Sequence, residues 1–155
     1  MKWSKLKSLV EARFAPTLAK RIAIHSTRYG NCTCGRAWLT IDGQEIANFC
    51  TRAHSNVQMG RFEHQPPPAG YGELSRQDAY QACWAFVHDL SIDQALGDID
   101  PLVQSLAVLD GRVGKRRLQT IDWSSLHPLA QRLFRVRLES EKMDIASLSN
   151  SNEVI

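Results

Sequence analysis

A chain of 155 residues, 43% hydrophobic and 23% charged, has the size of one ordinary domain, long enough to bury roughly two-thirds of its unfolded surface without staples. This composition excludes a collagen, a coiled coil or a disordered chain, and no apolar run approaches the length of a membrane helix. The net charge of +3 hides a segregation: residues 1–36 carry eight Lys/Arg against one acid, residues 110–138 carry seven against two, and the intervening and C-terminal stretches are net acidic. Two basic regions that alternate with acidic ones either pair internally or meet an anion.

At the start of the chain, Trp3, Leu6, Val10 and Phe14 recur every three or four residues. This is the apolar stripe of an amphipathic helix, which Pro16 would stop soon after Phe14. Glu11 and Arg13 follow Leu9-Val10 at once, so the basic start is not expected to be a secretory signal, and the cytoplasm is the expected compartment. Residues 21–27 alternate as a strand. Residues 36–51 then read as a hairpin, with Asp42-Gly43 between two β-rich runs, because glycine accepts positive φ at little cost. A tight two-residue turn pairs Ile41 with Gln44, Leu39 with Ile46 and Trp38 with Ala47. It puts Leu39, Ile41 and Ile46 on one face and Trp38 and Phe49 on the other.

Residues 52–73 look irregular, with Pro66-Pro67-Pro68 and two glycines near their end. Ser75 and Asp78 form a capping-box pattern ahead of the stripe Ala79, Cys83, Phe86 and Leu90. Ser91 and Asp93 suggest a short helical turn ending at Gly97. Asp100-Pro101 starts a helix through Leu109, residues 113–118 suggest another turn, and His127-Pro128 starts the last helix. The fold class is therefore α+β: an N-terminal helix, a small antiparallel sheet with the 36–51 hairpin, then a helical C-terminal half packed on the sheet. Residues 1–140 are expected to form one domain and residues 141–155 a polar, flexible tail.

Trp3-Ser4-Lys5-Leu6-Lys7, His25 to Tyr29, the run Gly35-Arg36-Ala37-Trp38-Leu39-Thr40-Ile41-Asp42-Gly43 and Leu109 to Arg116 resemble a small uncharacterised bacterial protein family. The resemblance covers most of residues 1–140. It implies a bacterial, single-domain protein and carries over no activity and no residue roles.

Four groups of residues could carry chemistry. Arg112, Lys115, Arg116 and Arg117 sit beside Gly111 and Gly114, where backbone N–H groups and cations could hold phosphate, and Arg132, Arg135 and Arg137 could extend the patch, although Arg135 need not share a face with the other two. The segment is too short for a Walker A loop. It matches the G-x-x-G of KH domains only formally, since the next apolar residue is displaced to Leu118. Arg28, Tyr29, Arg36 and Trp38 could form an aromatic and basic surface that stacks bases. Cys32 and Cys34 with His54 are the candidate metal ligands, although Cys-x-Cys is tighter than structural-zinc spacing; His25, Cys50 and His64 could also approach. The Pro66–Gly72 loop could be a partner-binding segment.

The expected function is a non-enzymatic binding module that recognises a protein or nucleic-acid partner through basic surface, with no cofactor and no membrane. The rival is a small metal- or thiol-dependent enzyme with its site between the strands and the 52–73 loop. A homo-oligomer joined through acidic and basic segments is the third reading.

Overall fold

A computed structural model of the protein describes residues 1–58 and 73–149. The chain forms two compact units, neither continuous in sequence. One comprises Met1–Glu11 and Lys20–Trp84, the other Ala12–Ala19 and Ala85–Ile155. The order of elements is α+β as expected: an N-terminal helix, a three-stranded antiparallel sheet, then helices.

In the first unit, helix α1 (Trp3–Glu11) buries Leu6 and Val10 and packs on strand β1 (Ile22–Arg28). The helix stops at Glu11, before the Phe14 that its stripe was expected to reach. Residues 13–15, which fall in the second unit, are extended instead. There Ala15 N–H donates to the Leu109 carbonyl at 2.8 Å and Gly111 N–H to the Arg13 carbonyl at 2.8 Å, so Phe14 bridges Asp110. A helical Phe14 would forfeit these pairings.

Strands β1, β2 (Gly35–Ile41) and β3 (Gln44–Cys50) form the sheet in that order. The turn between β2 and β3 has positive φ at both Asp42 (51°) and Gly43 (81°), the tight hairpin that Asp-Gly favours. Arg21 fixes it, donating to the two Asp42 carboxylate oxygens at 3.1 and 3.0 Å.

The expected register holds only next to the turn. Ile41 pairs with Gln44 and Thr40 with Glu45, but Leu39 pairs with Ala47 and Trp38 with Asn48. A β-bulge inserts Ile46 as one extra residue on β3, and every pair beyond it shifts by one. Phe49 therefore lies opposite Ala37, on the face of Leu39 and not on that of Trp38. A one-residue slip exchanges the faces of a strand, and burying Phe49 completely contributes about 1.5–3 kcal/mol. The apolar face now collects Ile24, Ala37, Leu39, Ala47 and Phe49, none more than 1% exposed. The opposite face carries His25, Arg36, Trp38, Glu45 and Asn48.

The outer edge of β1 is closed by α1. Glu11 accepts from Ile24 N–H at 3.0 Å, Lys7 donates to the Ile24 carbonyl at 2.8 Å, and Lys7 and Glu11 pair with each other. These bonds satisfy the outward-facing groups of Ile24 and so remove part of the template that a free strand edge presents.

The stretch expected to be irregular opens with a helix, α2 (Thr51–Gln58), which follows β3 without a break and packs against β3 and β2. Contact with the sheet supports it where the sequence supplies neither cap nor apolar stripe. The Pro66–Gly72 loop and His64 lie outside the described residues. Helix α3 (Arg76–His88) begins at the expected capping box: Ser75 N–H donates to Asp78 at 2.8 Å and Asp78 N–H to Ser75 Oγ at 3.1 Å. Ala79, Cys83 and Phe86 are buried as their spacing predicts, and the boundary between the units falls within this helix.

The second unit is helical. Helix α4 (Ile92–Leu96) starts at a Ser91–Gln94 capping box and ends at Gly97. Helix α5 (Pro101–Leu109) starts at Asp100, whose side chain accepts from Leu102 and Val103 N–H. Helix α6 (Lys115–Leu118) is short, and a single 3-10 turn, Trp123–Ser125, precedes helix α7 (Pro128–Ser140), which His127 caps. Helix α5 is apolar almost all round and buried almost all round, and it packs against α7, which buries Leu129, Leu133 and Phe134. Within 141–155, residues Ala146–Ser149 form helix α8, with Leu148 buried.

Candidate functional site

The first unit holds an open cleft of about 890 Å³. Its floor is the end of β1, Ser26-Thr27-Arg28; its walls are Met1-Lys2-Trp3 at the start of α1 and the first turns of α3. The walls are joined where the Tyr80 hydroxyl donates to the Met1 carbonyl at 2.8 Å and the Trp3 and Tyr80 rings lie 6.4 Å apart. The Ser75 cap sets where α3 begins, and so which residues of its first turns reach the cleft. Arg76 donates twice to the Thr33 carbonyl, at 3.2 and 2.8 Å, and Gln77 donates to it at 3.1 Å. Arg76 can lie there because residue 35 is glycine: a Cβ at Gly35 would stand 2.6 Å from Arg76 Cδ and 2.0 Å from the Thr27 carbonyl.

The lining carries three cations, Lys2, Arg28 and Arg76, and no carboxylate. Lys2 and Arg28 are exposed and make no ion pair among the described residues. Two aromatic rings offer flat apolar surface beside them, and Ser26, Thr27, Gln77 and Gln81 offer both donors and acceptors.

The group Arg28, Tyr29, Arg36 and Trp38 is divided by the sheet. Arg28 pairs with Gly35 and lines the cleft, while Arg36 and Trp38 belong to the polar face. On that face Trp38 is held between His25, stacked at 5.0 Å and 18°, and the Arg36 guanidinium, 4.1 Å from the ring centroid. Arg36 is further fixed by a two-fold ion pair to Glu45 (3.1 and 2.9 Å) and by Asn48 at 3.3 Å. His25 Nε2 meets Thr40 Oγ1 at 3.1 Å, and burial, together with the charge of Lys7, holds its pKa below 6.5. Trp38 is thus already stacked by its own sheet. Tyr29 lies apart from Trp38: its hydroxyl meets Cys50 Sγ at 3.4 Å, the Arg52 guanidinium lies 5.1 Å from its ring, and burial and the thiol raise its pKa to about 12.

Two of the four cations of the Gly111–Arg117 segment in the second unit are paired internally. Asp110, fully buried, accepts from Arg112 Nε at 3.1 Å and Nη2 at 2.7 Å and from the Arg112 backbone at 2.8 Å; this pairing raises the pKa of Arg112. Arg117 is paired with Asp93. Arg137, 2% exposed, does not extend a surface patch. It donates to the Asp110 and Val113 carbonyls at 2.8 Å each and pairs with Glu141 at 3.0 Å, so it is a structural clamp on the turn. Lys115, Arg116 and Arg132 remain exposed and unpaired among the described residues.

Of the candidate metal ligands, Cys32 and Cys34 are brought together: Cys34 N–H donates to Cys32 Sγ at 3.2 Å. His54 does not join them but lies 3.9 Å from Asp78. Among the described residues no group of three or more His, Cys, Asp or Glu side chains converges as a metal site.

Sequence reasoning found Arg28 and missed its partners. The spacing of Trp3 marks it only as part of the α1 stripe, and nothing in the sequence singles out Lys2, Arg76, Gln77 or Tyr80. The excess of cations in residues 1–36 was the available signal, but no periodicity relates the start of α1 to the start of α3.

A family model matches residues 2–138. The chain belongs to the SF0329 protein family. No curated protein and no solved structure matches the chain. The family match spans both compact units, and it contains the cleft residues Lys2 to Gln81 as well as the Gly111–Arg117 segment.

Proposed function

We propose that the protein is a binding module that takes a segment of single-stranded nucleic acid in the cleft of its first unit. One observation carries the reading: the lining combines three cations and two aromatic rings with no carboxylate. Phosphates would meet Lys2 and Arg28, with Arg76, held on the Thr33 carbonyl, adding positive charge behind them; a base would lie against Trp3 or Tyr80, which resembles the way sequence-tolerant single-strand binders use a basic groove and stacking rings. An acidic peptide would satisfy the cations and leave the rings without a flat partner. The cleft volume lies within the range of small-ligand sites, which suits one or two nucleotides and not a duplex.

The test is fluorescence anisotropy of a labelled oligothymidylate against protein concentration at several salt concentrations. Log affinity should fall with log salt with a slope of about −1.4, since each single-strand phosphate neutralised contributes about 0.7 and two cations, Lys2 and Arg28, are uncommitted among the described residues. Arg28→Glu should weaken binding by about tenfold or more. A titration that shows no salt dependence, or an affinity equalled by a poly-glutamate peptide, would overturn the reading.

A further inference from the structure

Beyond the cleft, the loop between β1 and β2 gathers two of the four cysteines in an arrangement that nothing above uses. Residues 29–34 form a turn closed by Tyr29 N–H donating to the Cys34 carbonyl at 2.7 Å. Cys32 is exposed, Cys34 half-buried and Cys83 buried. Cys34 approaches Cys32 through its backbone N–H, 3.2 Å from Cys32 Sγ, and the Cys32 thiol donates to the Tyr29 carbonyl at 3.5 Å. The peptide between them is fixed, because the Thr33 carbonyl accepts three hydrogen bonds from Arg76 and Gln77. Arg52, whose guanidinium lies over Tyr29, adds positive charge to both thiols.

We propose that Cys32 and Cys34 are a redox-active dithiol, with Cys32 the attacking and Cys34 the resolving thiol toward a small-molecule disulfide of the glutathione class. In the first step the Cys32 thiolate attacks one sulfur of the small disulfide. A mixed disulfide forms, the S–S bond of the small molecule breaks, and the leaving thiolate takes up the proton that Cys32 lost. In the second step Cys34 gives up its proton and displaces the second small thiolate, which takes that proton. The protein is oxidised by two electrons to a Cys32–Cys34 disulfide, and one small disulfide is reduced to two thiols.

The geometry distinguishes the two sulfurs. Cys32 Sγ accepts the Cys34 backbone N–H at 3.2 Å and feels the positive charge of Arg52, both of which favour its thiolate, and as a thiol it donates to the Tyr29 carbonyl at 3.5 Å. Exposure follows the same order, with the attacking sulfur in solvent and the resolving sulfur behind it. Cys50 is engaged by the Tyr29 hydroxyl.

The experiment exposes the fully reduced chain to oxidised glutathione at neutral pH, quenches with acid, and maps the thiols by peptide mass. The expected product has lost two hydrogens and joins residues 32 and 34. Cys34→Ser should accumulate a glutathione adduct on Cys32, with Cys34→Ala made alongside in case the serine variant misfolds. Cys32→Ser should react at least about tenfold more slowly than the native chain, as follows from the loss of the thiolate that attacks. Cys50→Ser and Cys83→Ser should form the same disulfide at the native rate. A disulfide mapped to another pair, an adduct that persists on Cys32 in the native chain, or equal rates for the native chain and Cys32→Ser would overturn the proposal. None of these readouts involves nucleic acid, so failure here is separate from failure of the cleft reading.

Discussion

The two units of this chain both concentrate lysine and arginine, and each pairs part of that charge internally and leaves part exposed, the first beside a cleft lined by no carboxylate. In the second unit Arg112 is neutralised by buried Asp110, Arg117 pairs with Asp93, and Arg137 is consumed by two backbone carbonyls and Glu141. In the first, Lys2 and Arg28 border a cleft whose lining holds no acid. A run of basic residues is therefore not in itself a basic surface. What decides is whether folding brings acceptors to the guanidinium groups, because a cation held by fixed internal partners has little left to offer a phosphate.

The comparison is sharpened most by removing a consumed cation. Arg137→Met should lower unfolding stability by about 3–5 kcal/mol, since it removes the cation paired with Glu141 and the donor to the Val113 carbonyl, and leaves the Asp110 carbonyl with the Val113 N–H alone. Urea denaturation measures it, and a loss below about 1 kcal/mol would show that the clamp is dispensable. Arg28→Glu should do the reverse: oligonucleotide affinity falls by about tenfold while stability stays within about 0.5 kcal/mol of native. Trp3→Ala should cost about 1–3 kcal/mol of binding if a base stacks there, a loss that added salt does not reproduce.

The double substitution Lys115→Glu with Arg116→Glu tests the contrast directly. Binding should change by less than about threefold, through the long-range field alone, and abolition of binding would move the interface to the second unit. The smallest effect concerns His25. Its folded pKa lies below the unfolded value of 6.5, so the unfolded chain binds the proton first as the pH falls. The stability that His25 contributes is complete above pH 6.5 and is lost as the pH falls from there through its folded pKa. Denaturation midpoints of the native chain and His25→Gln, compared between pH 7.5 and 5 (buffer settings of roughly this span suffice), should converge toward the acid end.

Much of the local architecture was legible because it rests on short-range chemistry. The Asp42-Gly43 hairpin, the Ser75 capping box, the short turn from Ser91 to Gly97 and the Asp100-Pro101 helix start are set by residues near one another in the chain. The failures share a different cause. The bulge at Ile46 moved Phe49 to the other face, the pairing of residues 13–15 with 109–111 shortened α1, and contact with the sheet supports α2 where no sequence signal did. Each is decided by a partner distant in sequence.

The same division runs through the candidate sites. The sequence by itself determined the α+β order of elements, the hairpin turn, the helix caps and the excess of cations in two regions. It also placed Cys32 two residues from Cys34, where a turn suffices to bring them together. Only the tertiary structure decided which cations are consumed, that Arg28 parts from Trp38, and that Trp3, Arg76 and Tyr80 share a cleft. Caps and turns are fixed by a few neighbouring dihedral angles, which local composition controls. The pairing of a charge or a ring depends on which surfaces meet after collapse, and that is a property of the whole packed chain.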